Sequence, residues 1–298
     1  MKTIQKTAIT LAVSGLFSTG AFAQTAPAAP EVSPVTANVT VVSDYRYRGL
    51  TQSNFKPAIQ GGFDYAHESG FYIGNWNSSI SWISDGYGAY GYPSTKTVSA
   101  PVEMDFYAGF KKELIGEGFA TDVGVLQYYY PTSGFPSMNL PRNVSHNGNN
   151  ATLSAGGYRQ SAGVSPNTTE LYAAQNFVFG PTTGFIKFSY AVTPIFGIYN
   201  SAGSYYPDLT VNHDTGFSGI TLNAHVGYQK VTNTSGIYDF SYADWKLGLT
   251  KDFGGGLSSA LAYVGTNAKT VGTTPIYASP TNANLGKGGV VASLTKTF

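Results

Sequence analysis

The side chains of this chain that could do chemistry are charged groups that recur at every second position of strand-like segments. From Val39 to Tyr47, odd positions are mostly apolar, whereas Asp44 and Arg46 occupy even positions and Arg48 follows in the same phase. Successive side chains of a strand point to opposite faces, so these three groups are expected to share one face. The same alternation places further ionisable groups on polar faces: Asp64, Glu103, Asp105, Lys111, Lys187, Asp208, His225, Asp244 and Lys246.

These polar faces have two alternative roles if they line the inside of a closed sheet. Rings of charged side chains select solutes in pores, which would make this set a constriction. The same groups could instead pair with one another and hold the strands in register, and the sequence leaves both roles open. The acids counted on such faces are Asp44, Asp64, Glu103, Asp105, Asp122, Glu170, Asp208 and Asp244, and the bases are Arg46, Arg48, Lys111, Lys187 and Lys246. This slight acidic excess weakly favours cations.

Catalytic and metal motifs are weak in this sequence. His67 and His213 lie in turns, His146 lies in a long polar segment, and His225 lies on a polar strand face. A barrel lipase needs a serine, a histidine and an acid or amide within hydrogen-bond reach, and the sequence offers only loose ingredients. The run from Asp208 to Asp214 has neither EF-hand nor zinc spacing. We therefore expect no catalytic residue, metal or cofactor, and we interpret His225 as an ordinary polar residue of the lumen.

The elements that must position these groups are strands of ten or so residues with alternating polarity. Their connections alternate between short and long. The short ones are His67 to Gly70, Ile115 to Gly118, Gly180 to Gly184, His213 to Gly219, and Asp252 to Gly256. The long ones are Ser84 to Ala100, Pro131 to Asn167, Asn200 to Ser204 with its flanks, and Asn267 to Lys287. Outer-membrane barrels show this alternation, with short periplasmic turns and longer extracellular loops.

The strand count follows from parity. Eleven segments are unambiguous, but eleven strands would put the glycine-rich turn at Asp252 to Gly256 on the outside. A further strand at Ser204 to Asn212 returns every short turn to one side. The sequence thus predicts an all-β, transmembrane, antiparallel up-and-down β-barrel of about twelve strands.

Three segments of different composition divide the chain. Residues 1–23 resemble a signal peptide, with Lys2 and Lys6, a short apolar run, and an Ala21-Phe22-Ala23 cleavage site. Residues 24–37 are rich in Ala and Pro and are expected to be an extended linker, and residues 38–298 are expected to form the barrel. The apolar run is too short to span a bilayer as a helix.

Composition favours a lipid-facing surface over a soluble one. Only 11% of the residues are charged, against the roughly 25% typical of soluble domains. The chain holds 22 Tyr and 18 Phe, has no Cys, and has a formal net charge of +1. No basic excess indicates a nucleic acid as partner. A sheet in hydrocarbon must close on itself to satisfy its backbone.

The ends of the strands and of the chain carry further signals. Aromatic residues cluster near predicted strand ends, where lipid interfaces favour them: Tyr45, Tyr47, Tyr65, Phe71, Tyr72, Trp82, Phe110, Tyr128, Tyr129 and Tyr130. The last strand-like stretch, Val290 to Phe298, ends on an aromatic residue. We interpret Phe298 as part of a signal for the barrel-assembly machinery, which Lys296 slightly weakens.

The run Asp44 to Gln52 (DYRYRGLTQ) resembles the opening of a proteobacterial family of unknown function, Gcw_chp, also described as TorF family porins. Later blocks are also similar: Pro57 to Tyr65, His67 to Tyr72, Gly74 to Trp76, Glu103 to Gly109, Gly203 to Tyr206 with Asp208 and Leu209, and Ala224 to Gln229. The likeness covers essentially the mature barrel. It implies an outer-membrane barrel and a channel, and it supplies no substrate, cofactor or catalytic residue.

The function that we expect is a narrow, porin-like channel of the cell outer membrane for small polar solutes or ions. The alternative is a non-conducting barrel that acts through its long loops as a surface structural or interaction protein, and a lipid-modifying enzyme ranks third. The expected partners are outer-membrane lipid, the barrel-assembly machinery and the solutes. The sequence does not define the oligomeric state.

Overall fold

The computed structural model describes residues 33–88, 98–133, 164–198, 200–234, 236 and 239–298, and it contains twelve long strands. They are β1 Val35–Val42, β2 Ala58–Ala66, β3 Phe71–Ser79, β4 Val102–Gly116, β5 Phe119–Tyr129, β6 Thr168–Phe179, β7 Thr182–Ala191, β8 Tyr205–Asp214, β9 Ile220–Gln229, β10 Tyr242–Gly254, β11 Leu257–Thr266 and β12 Gly289–Thr297. Between them lie a short helix, Trp82–Gly88, and two-residue strands at Arg46–Tyr47, Leu50–Thr51, Thr270–Val271 and Thr274–Pro275.

The long strands form a closed antiparallel barrel in which each strand pairs with its neighbours along the chain. The first and last strands close it, with Asn38 opposite Thr297 and Val42 opposite Ser293. The backbone of Phe298 extends this seam, because its N–H donates to the carbonyl of Ala37 at 2.8 Å. The predicted fold class and the count of twelve are confirmed, including the strand that was added by parity, Tyr205–Asp214.

Short and long connections lie at opposite ends of the barrel, as predicted. Five tight turns, at residues 67–70, 117–118, 180–181, 215–219 and 255–256, lie at what we call the turn end. Both termini of the barrel lie there too. The strand ends that the other connections join lie at what we call the loop end; these connections are residues 43–57, 80–101, 130–167, 192–204, 230–241 and 267–288. Gly70 shows why a glycine is needed in a tight turn: its φ is +102°, and a Cβ would lie 2.6 Å from the carbonyl oxygen of Lys111.

The outer face of the barrel is apolar over most of its circumference. On β7, Ile186, Phe188 and Tyr190 are exposed, whereas Lys187 and Ser189 between them are buried. This is the expected pattern for a strand with lipid on one side and a filled interior on the other. In the described ranges, no helix combines the length and apolar character needed to cross a bilayer.

The structure corrects the prediction for the first strand. β1 begins at Val35, inside the predicted linker, and ends at Val42 rather than continuing to Tyr47. Tyr45 and Tyr47 are buried, so the prediction that they face lipid is wrong. Their backbone leaves the wall because residues 43–57 fold into the barrel, where long-range contacts outweigh the local strand pattern.

The prediction that Tyr72 lies at the lipid interface is also wrong. Phe71 and Ile73 are exposed on the outside, so the alternation along β3 turns Tyr72 and Trp76 inward. The same alternation places Asn75 and Asn77 on the outer face, where Asn75 is buried and Asn77 is half-buried. The Tyr72 hydroxyl donates to Asp122 at 2.6 Å, and Trp76 packs edge-on against Tyr45. These aromatic rings therefore find polar and aromatic partners in the lumen, which the alternation could not reveal. Trp82, Tyr128 and Tyr130, predicted near the lipid interface, are likewise buried.

Several predicted segments lie outside the described residues. These are the signal peptide 1–23, most of the linker 24–37, and most of the long connection Pro131 to Asn167.

Candidate functional site within the barrel lumen

The predicted charged residues all lie inside the barrel, but on two kinds of element. Nine are inward-facing residues of wall strands: Asp64 on β2, Glu103, Asp105 and Lys111 on β4, Lys187 on β7, Asp208 on β8, His225 on β9, and Asp244 and Lys246 on β10. The other three, Asp44, Arg46 and Arg48, lie on residues 44–53, a segment that we call the lumenal hairpin. This hairpin brings charges from the β1–β2 connection to the centre of the lumen.

The turn of the lumenal hairpin has an unusual backbone conformation. Arg46 pairs with Thr51 and Tyr47 with Leu50, which leaves Arg48 and Gly49 as the two central residues. Both have positive φ, +45° and +77°, as a type I′ turn requires. A Cβ on Gly49 would lie 2.4 Å from Thr266 Cγ2 and 2.8 Å from Asp244 Cβ. The tip therefore sits tightly against β10 and β11, and the unfavourable φ of Arg48 is sustained by its side-chain contacts.

Arg46 fastens the hairpin to itself and to the last long connection. Its Nε donates to Asp44 at 2.5 Å, and its Nη1 donates to the carbonyls of Gly49 and Lys287 at 3.0 Å each. Asp44 also accepts hydrogen bonds from Thr51 and Ser53. Arg46 as a whole residue is only 3% exposed. Removing either charge would leave the other buried and unpaired, which is costly.

Arg48 fastens the hairpin to the barrel wall. Its Nη2 donates to Glu170 on β6 at 2.7 Å, and its Nη1 donates to Gln229 on β9. The guanidinium carbon lies 4.1 Å from the ring centre of Tyr206 and 4.9 Å from that of Tyr47, within the range of cation–π attraction. Arg48 thus bridges two wall strands that are separated by β7 and β8.

Tyrosine hydroxyls satisfy the acidic groups around the hairpin. Glu103 accepts hydrogen bonds from Tyr45 and from Tyr130, the latter at 2.7 Å. Tyr47 and Tyr128 share a hydroxyl contact of 2.6 Å beside Glu170. Burial raises the pKa of the Tyr45 phenol, and the Glu103 carboxylate raises it further. Tyr45 therefore stays a neutral donor.

Two buried polar atoms near this layer have no hydrogen-bond partner within the part of the chain that the structure describes. They are Oδ1 of Asp105 and Nε of Arg48. A native interior pairs nearly all such atoms, so each exception needs a reason. In this conformation, these two polar atoms beside the lumenal hairpin therefore lack a partner among the described residues.

Next to the hairpin layer lies an acidic pair joined by a histidine. His225 is 3.0 Å from Asp208 through Nδ1 and 2.9 Å from Asp244 through Nε2. The Tyr206 hydroxyl donates to Asp244 at 2.8 Å. Since each ring nitrogen faces a carboxylate, both nitrogens act as donors. Lys246 occupies the β10 position directly opposite His225.

Toward the turn end, neutral donors and lysines alternate with acids. The Tyr107 hydroxyl donates to Asp64, and Lys111 donates to Asn176 at 3.2 Å. The ammonium of Lys187 lies 4.3 Å from the ring centre of Tyr172. Among the residues that the structure describes, no group of three or more His, Asp or Glu side chains is arranged to hold a metal ion.

The loop end of the lumen is closed by apolar packing. One cluster joins the hairpin to the helix Trp82–Gly88 and the β3–β4 connection through Tyr45, Trp82, Ile83 and Val98. A second joins Leu50 of the hairpin to the last three loop-end connections, with Ile195, Phe240 and Ile276 at its centre. Exposure differs at the turn end, where inward-facing Thr36 is exposed and Asn38 is half-buried. Among the described residues, the loop-end half of the lumen is thus closed by packing, whereas the turn-end half is more accessible.

Sequence reasoning missed the ring of inward tyrosines, although the sequence holds a signal for it. Tyr72 pairs with Gly109 on the next strand, Tyr107 with Gly74, and Tyr172 with Gly124. A Cβ on any of these glycines would lie 2.4–2.6 Å from the tyrosine hydroxyl. Each inward glycine thus makes room for the tyrosine beside it, and a Tyr opposite a Gly on adjacent strands identifies the lumenal face.

The architecture and its contents define a class: a closed twelve-stranded antiparallel barrel whose polar lumen is occupied by its own first loop-end connection. The model of the Gcw_chp family, described as a bacterial protein of unknown function, matches residues 25–156 and 156–298. The chain belongs to this family. No curated protein matches the sequence.

Solved outer-membrane barrels are similar in overall architecture. A KdgM porin in complex with disordered oligogalacturonate is 6% identical, with a TM-score of 0.47 over 89% of this chain and 97% of that one. The Pseudomonas putida toluene transporter TodX is 8% identical, with a TM-score of 0.46 over 90% and 89%. Pseudomonas aeruginosa OprD is 10% identical, with a TM-score of 0.39 over 90% and 68%.

Proposed function

We propose that this protein is an outer-membrane channel for small polar solutes or ions, and that the conformation described above is its closed state. The lumenal hairpin is the element that closes it. The observation that carries the proposal is the position of Arg48, which reaches from the β1–β2 connection to Glu170 on β6 and Gln229 on β9. An eight-stranded barrel is filled by side chains and one of sixteen strands holds an aqueous pore, so twelve strands suit a narrow passage.

The energetics of the interior favour a conducting role over a purely structural one. Apolar residues that replace a buried ion pair often leave a protein equally or more stable. This chain does fill its loop end with apolar side chains, yet it keeps Arg46, Arg48 and Glu170 buried below them. A lumen that conducts polar solutes needs those charged groups along its path.

Besides its apolar packing, the hairpin is held by polar contacts that water can replace. Arg46 and Arg48 make hydrogen bonds and ion pairs, and with no cysteine in the chain no disulfide fixes the segment. Opening consists of withdrawal of residues 44–53 toward the loop end, which exposes the wall residues Glu103, Asp105 and Glu170. The path then runs past the His225 layer to the turn end.

The decisive experiment removes the hairpin. Replacement of residues 44–53 by a short Gly/Ser linker should convert rare conductance steps in planar bilayers into frequent, larger ones. The control removes residues 135–165 from another long connection and should leave conductance unchanged. A barrel that folds without its hairpin and stays silent at high protein dose would disprove the channel.

Solute class is measured separately with the open variant. Liposome swelling with sugars, amino acids and ions of graded size gives the size limit, and the slight acidic excess of the lumen predicts a preference for cations. Equal swelling with anions and cations of matched size would contradict that preference.

A second function remains supported by one observation. The loop end is sealed by two apolar clusters that include every described long connection, as suits a surface structural or interaction barrel. Loss of partner binding on deletion of residues 135–165, with a silent hairpin-deleted barrel, would favour this function.

The geometry does not favour a hydrolase. Thr210 lies 3.1 Å from Nδ1 of His225, but Asp208 occupies the same nitrogen at 3.0 Å and Asp244 the other at 2.9 Å. Since neither nitrogen keeps a free lone pair, His225 cannot take a proton from a nucleophile. Unchanged lipid hydrolysis and acyl transfer in His225→Ala would agree with this argument.

Export and assembly complete the proposal. Residues 1–23 direct export and are cleaved, and the barrel-assembly machinery uses the C-terminal strand with Phe298. Deletion of Phe298 should lower the amount of folded, heat-modifiable barrel in the outer membrane, whereas Phe253→Ala at a turn-end position should not. Full assembly without Phe298 would contradict this role.

A further inference from the structure

One acidic side chain inside the barrel, that of Asp105 on β4, has no partner among the residues that the structure describes. Asp105 is 3% exposed, and its buried Oδ1 accepts no hydrogen bond there. A buried charge without a partner is strongly unfavourable, so the position of Asp105 requires an explanation. The three other acids beside the lumenal hairpin are satisfied: Asp44 by Arg46, Glu170 by Arg48, and Glu103 by the hydroxyls of Tyr45 and Tyr130.

The charges around Asp105 make a cation the partner that fits. Those that act on it most strongly belong to Glu103 and Glu170, which are acids like Asp105 itself. Like charges repel strongly where water is excluded. A positively charged group bound at Asp105 offsets this repulsion and gives the carboxylate a partner.

Two aromatic residues of the wall flank Asp105. Trp76 on β3 and Tyr128 on β5 occupy the inward positions directly opposite it on the two neighbouring strands. Directly opposite side chains have Cβ atoms about 4.5–5.5 Å apart, so both rings lie within reach of a ligand that the carboxylate holds. We call Asp105, Trp76 and Tyr128 the Asp105 site.

The lumenal hairpin packs against both rings of the Asp105 site. Tyr45 lies edge-on to Trp76 and Tyr47 edge-on to Tyr128, each with 5.5 Å between the ring centres. Such contacts set the positive edge of one ring against the negative face of the other. Withdrawal of the hairpin removes Tyr45 and Tyr47, and it leaves aromatic surface to which a cation is attracted.

The chemistry of the Asp105 site favours an organic cation over a metal ion. A metal ion needs several oxygen or nitrogen ligands, and in the described ranges no group of three or more His, Asp or Glu side chains is arranged to hold one. An alkylammonium ion needs a carboxylate for its charge and aromatic rings around its alkyl groups. We infer that the Asp105 site binds an organic ammonium ion. This inference rests on the proposed channel, and it names the class of solute that the channel admits.

Binding at the Asp105 site is coupled to the position of the hairpin. In the closed conformation Asp105 is buried and the hairpin tyrosines pack against both rings, so the ion binds only after the hairpin has withdrawn. A ligand that binds one of two conformations shifts the population toward it. The ammonium ion therefore opens the lumen that it enters.

Tetramethylammonium is the probe that tests the site, because it carries the charge and the alkyl groups without any hydrogen-bond donor. Added to the intact protein in detergent micelles, tetramethylammonium chloride should give a saturable heat of binding. It should also raise the rate of trypsin cleavage after Arg46 and Arg48, since the hairpin withdraws. Sodium chloride at the same ionic strength is the control for screening and should do neither. No saturable heat and equal cleavage in the two salts would overturn the inference, and this is also the result if a proton alone neutralises Asp105.

Asp105→Asn tests the carboxylate, because it keeps the shape of the side chain and removes its charge. The tetramethylammonium concentration for half-maximal cleavage should rise at least about tenfold. The variant should also unfold at the same or a higher denaturant concentration than wild type, since the lost charge had no partner, whereas a carboxylate with a purely structural role would lose stability. Asp214→Asn is the matched control: its carboxylate accepts a hydrogen bond from the N–H of Gly216 at 3.0 Å in a turn-end connection, and its response to tetramethylammonium should be that of wild type. An unchanged half-maximal concentration in Asp105→Asn would contradict the site.

Trp76→Leu is a second variant that keeps the test decisive if Asp105→Asn does not fold. Loss of the ring should weaken tetramethylammonium binding roughly fivefold, as expected for one cation–π contact. Trp245→Leu, on the lipid-facing side of β10, is its control and should bind as wild type does. Heat-modifiable migration verifies that each variant is folded, and equal binding by the two tryptophan variants would count against the site.

The Asp105 site and the channel are able to fail separately. Saturable binding of tetramethylammonium by a barrel that stays silent in planar bilayers would keep the site and remove the channel. A conducting barrel whose tetramethylammonium current is the same in wild type and Asp105→Asn would keep the channel and remove the site.

Discussion

The two halves of the lumen are lined by the same wall strands but differ in what fills them. On β6, inward-facing Thr168 and Glu170 at the loop end are 0% and 1% exposed, whereas Asn176 is half-buried and Val178 is 52% exposed toward the turn end. The strand is continuous across this change. Closure is therefore a property of the lumenal hairpin and the loop-end connections, and the wall itself is compatible with an open passage.

This difference separates two kinds of polar group. Near the hairpin, Arg48 and Glu170 are desolvated and depend on each other, so losing one destabilises the other. Toward the turn end, Asn38 and Asn176 are partly exposed, and substitutions there are expected to change stability little. Mutations in the first group should open the barrel, and mutations in the second should change only what passes.

The largest effect is expected from Arg48→Ala. It leaves Glu170 buried without its cation and removes the bridge to Gln229, so the free energy of unfolding should fall by about 3–5 kcal/mol. Denaturant titration in detergent micelles measures this change, and planar-bilayer recordings should show more frequent openings.

The control for Arg48→Ala is Lys56→Ala, an exposed residue of the same connection, which should behave as wild type. Equal stability of the two variants would mean that the hairpin is not held by Arg48.

A somewhat smaller effect is expected from Gly49→Ala. The new Cβ would enter a positive-φ position and meet Thr266 and Asp244, at an expected combined cost of roughly 2–4 kcal/mol. The tip should leave its seat, which exposes the bonds after Arg46 and Arg48 to trypsin. Mass spectrometry of the fragments detects those cuts.

Gly255→Ala is the control for Gly49→Ala, because it also places a Cβ at a positive-φ position but causes no steric clash. Gly255 has φ +59°, but a Cβ there meets nothing within 4 Å. It should keep the hairpin resistant to trypsin, and cleavage in both variants would show that the contact with β10 and β11 is unimportant.

A smaller effect is expected from Tyr45→Phe, which removes one of the two hydroxyls that donate to Glu103. An unsatisfied buried acceptor costs about 1–3 kcal/mol, and Tyr130 continues to donate. Tyr129→Phe, on the lipid side of the neighbouring wall, is the matched control. If both variants lose equal stability in denaturant titrations, the tyrosine layer does not support the hairpin.

Much of the barrel wall could be predicted from the sequence, because its strands and tight turns are specified by residues that are close together in the chain. Alternation along the strand of Ile186 to Val192, and a tight turn such as His67 to Gly70, each follow from a few neighbouring residues. Parity then required the strand Tyr205–Asp214, which the structure contains. These features need no knowledge of distant contacts.

The lumenal hairpin could not be predicted, because the residues that hold it in place are far from it in the chain. Arg48 contacts Glu170, and Arg46 contacts the carbonyl of Lys287; both partners lie more than a hundred residues away. Locally, Tyr45 and Tyr47 continue the alternation of β1, so the pattern favoured a longer strand. The prediction for Tyr72 failed for the same reason, since its lumenal partner cannot be read from neighbouring residues.

The smallest effect on stability, within about 0.5 kcal/mol, is expected from Asn38→Lys on β1. Asn38 faces the half-buried, turn-end part of the lumen, where an added ammonium can stay hydrated. In the hairpin-deleted barrel this charge should shift the reversal potential toward anion selectivity, because fixed charge along a pore sets the local counter-ion concentration. Val39→Lys, one residue along and facing lipid, has no access to the lumen and should leave the reversal potential unchanged while lowering the yield of folded barrel. An unchanged reversal potential in Asn38→Lys, with conductance intact, would mean that the ions do not pass along β1 and that the open path lies elsewhere.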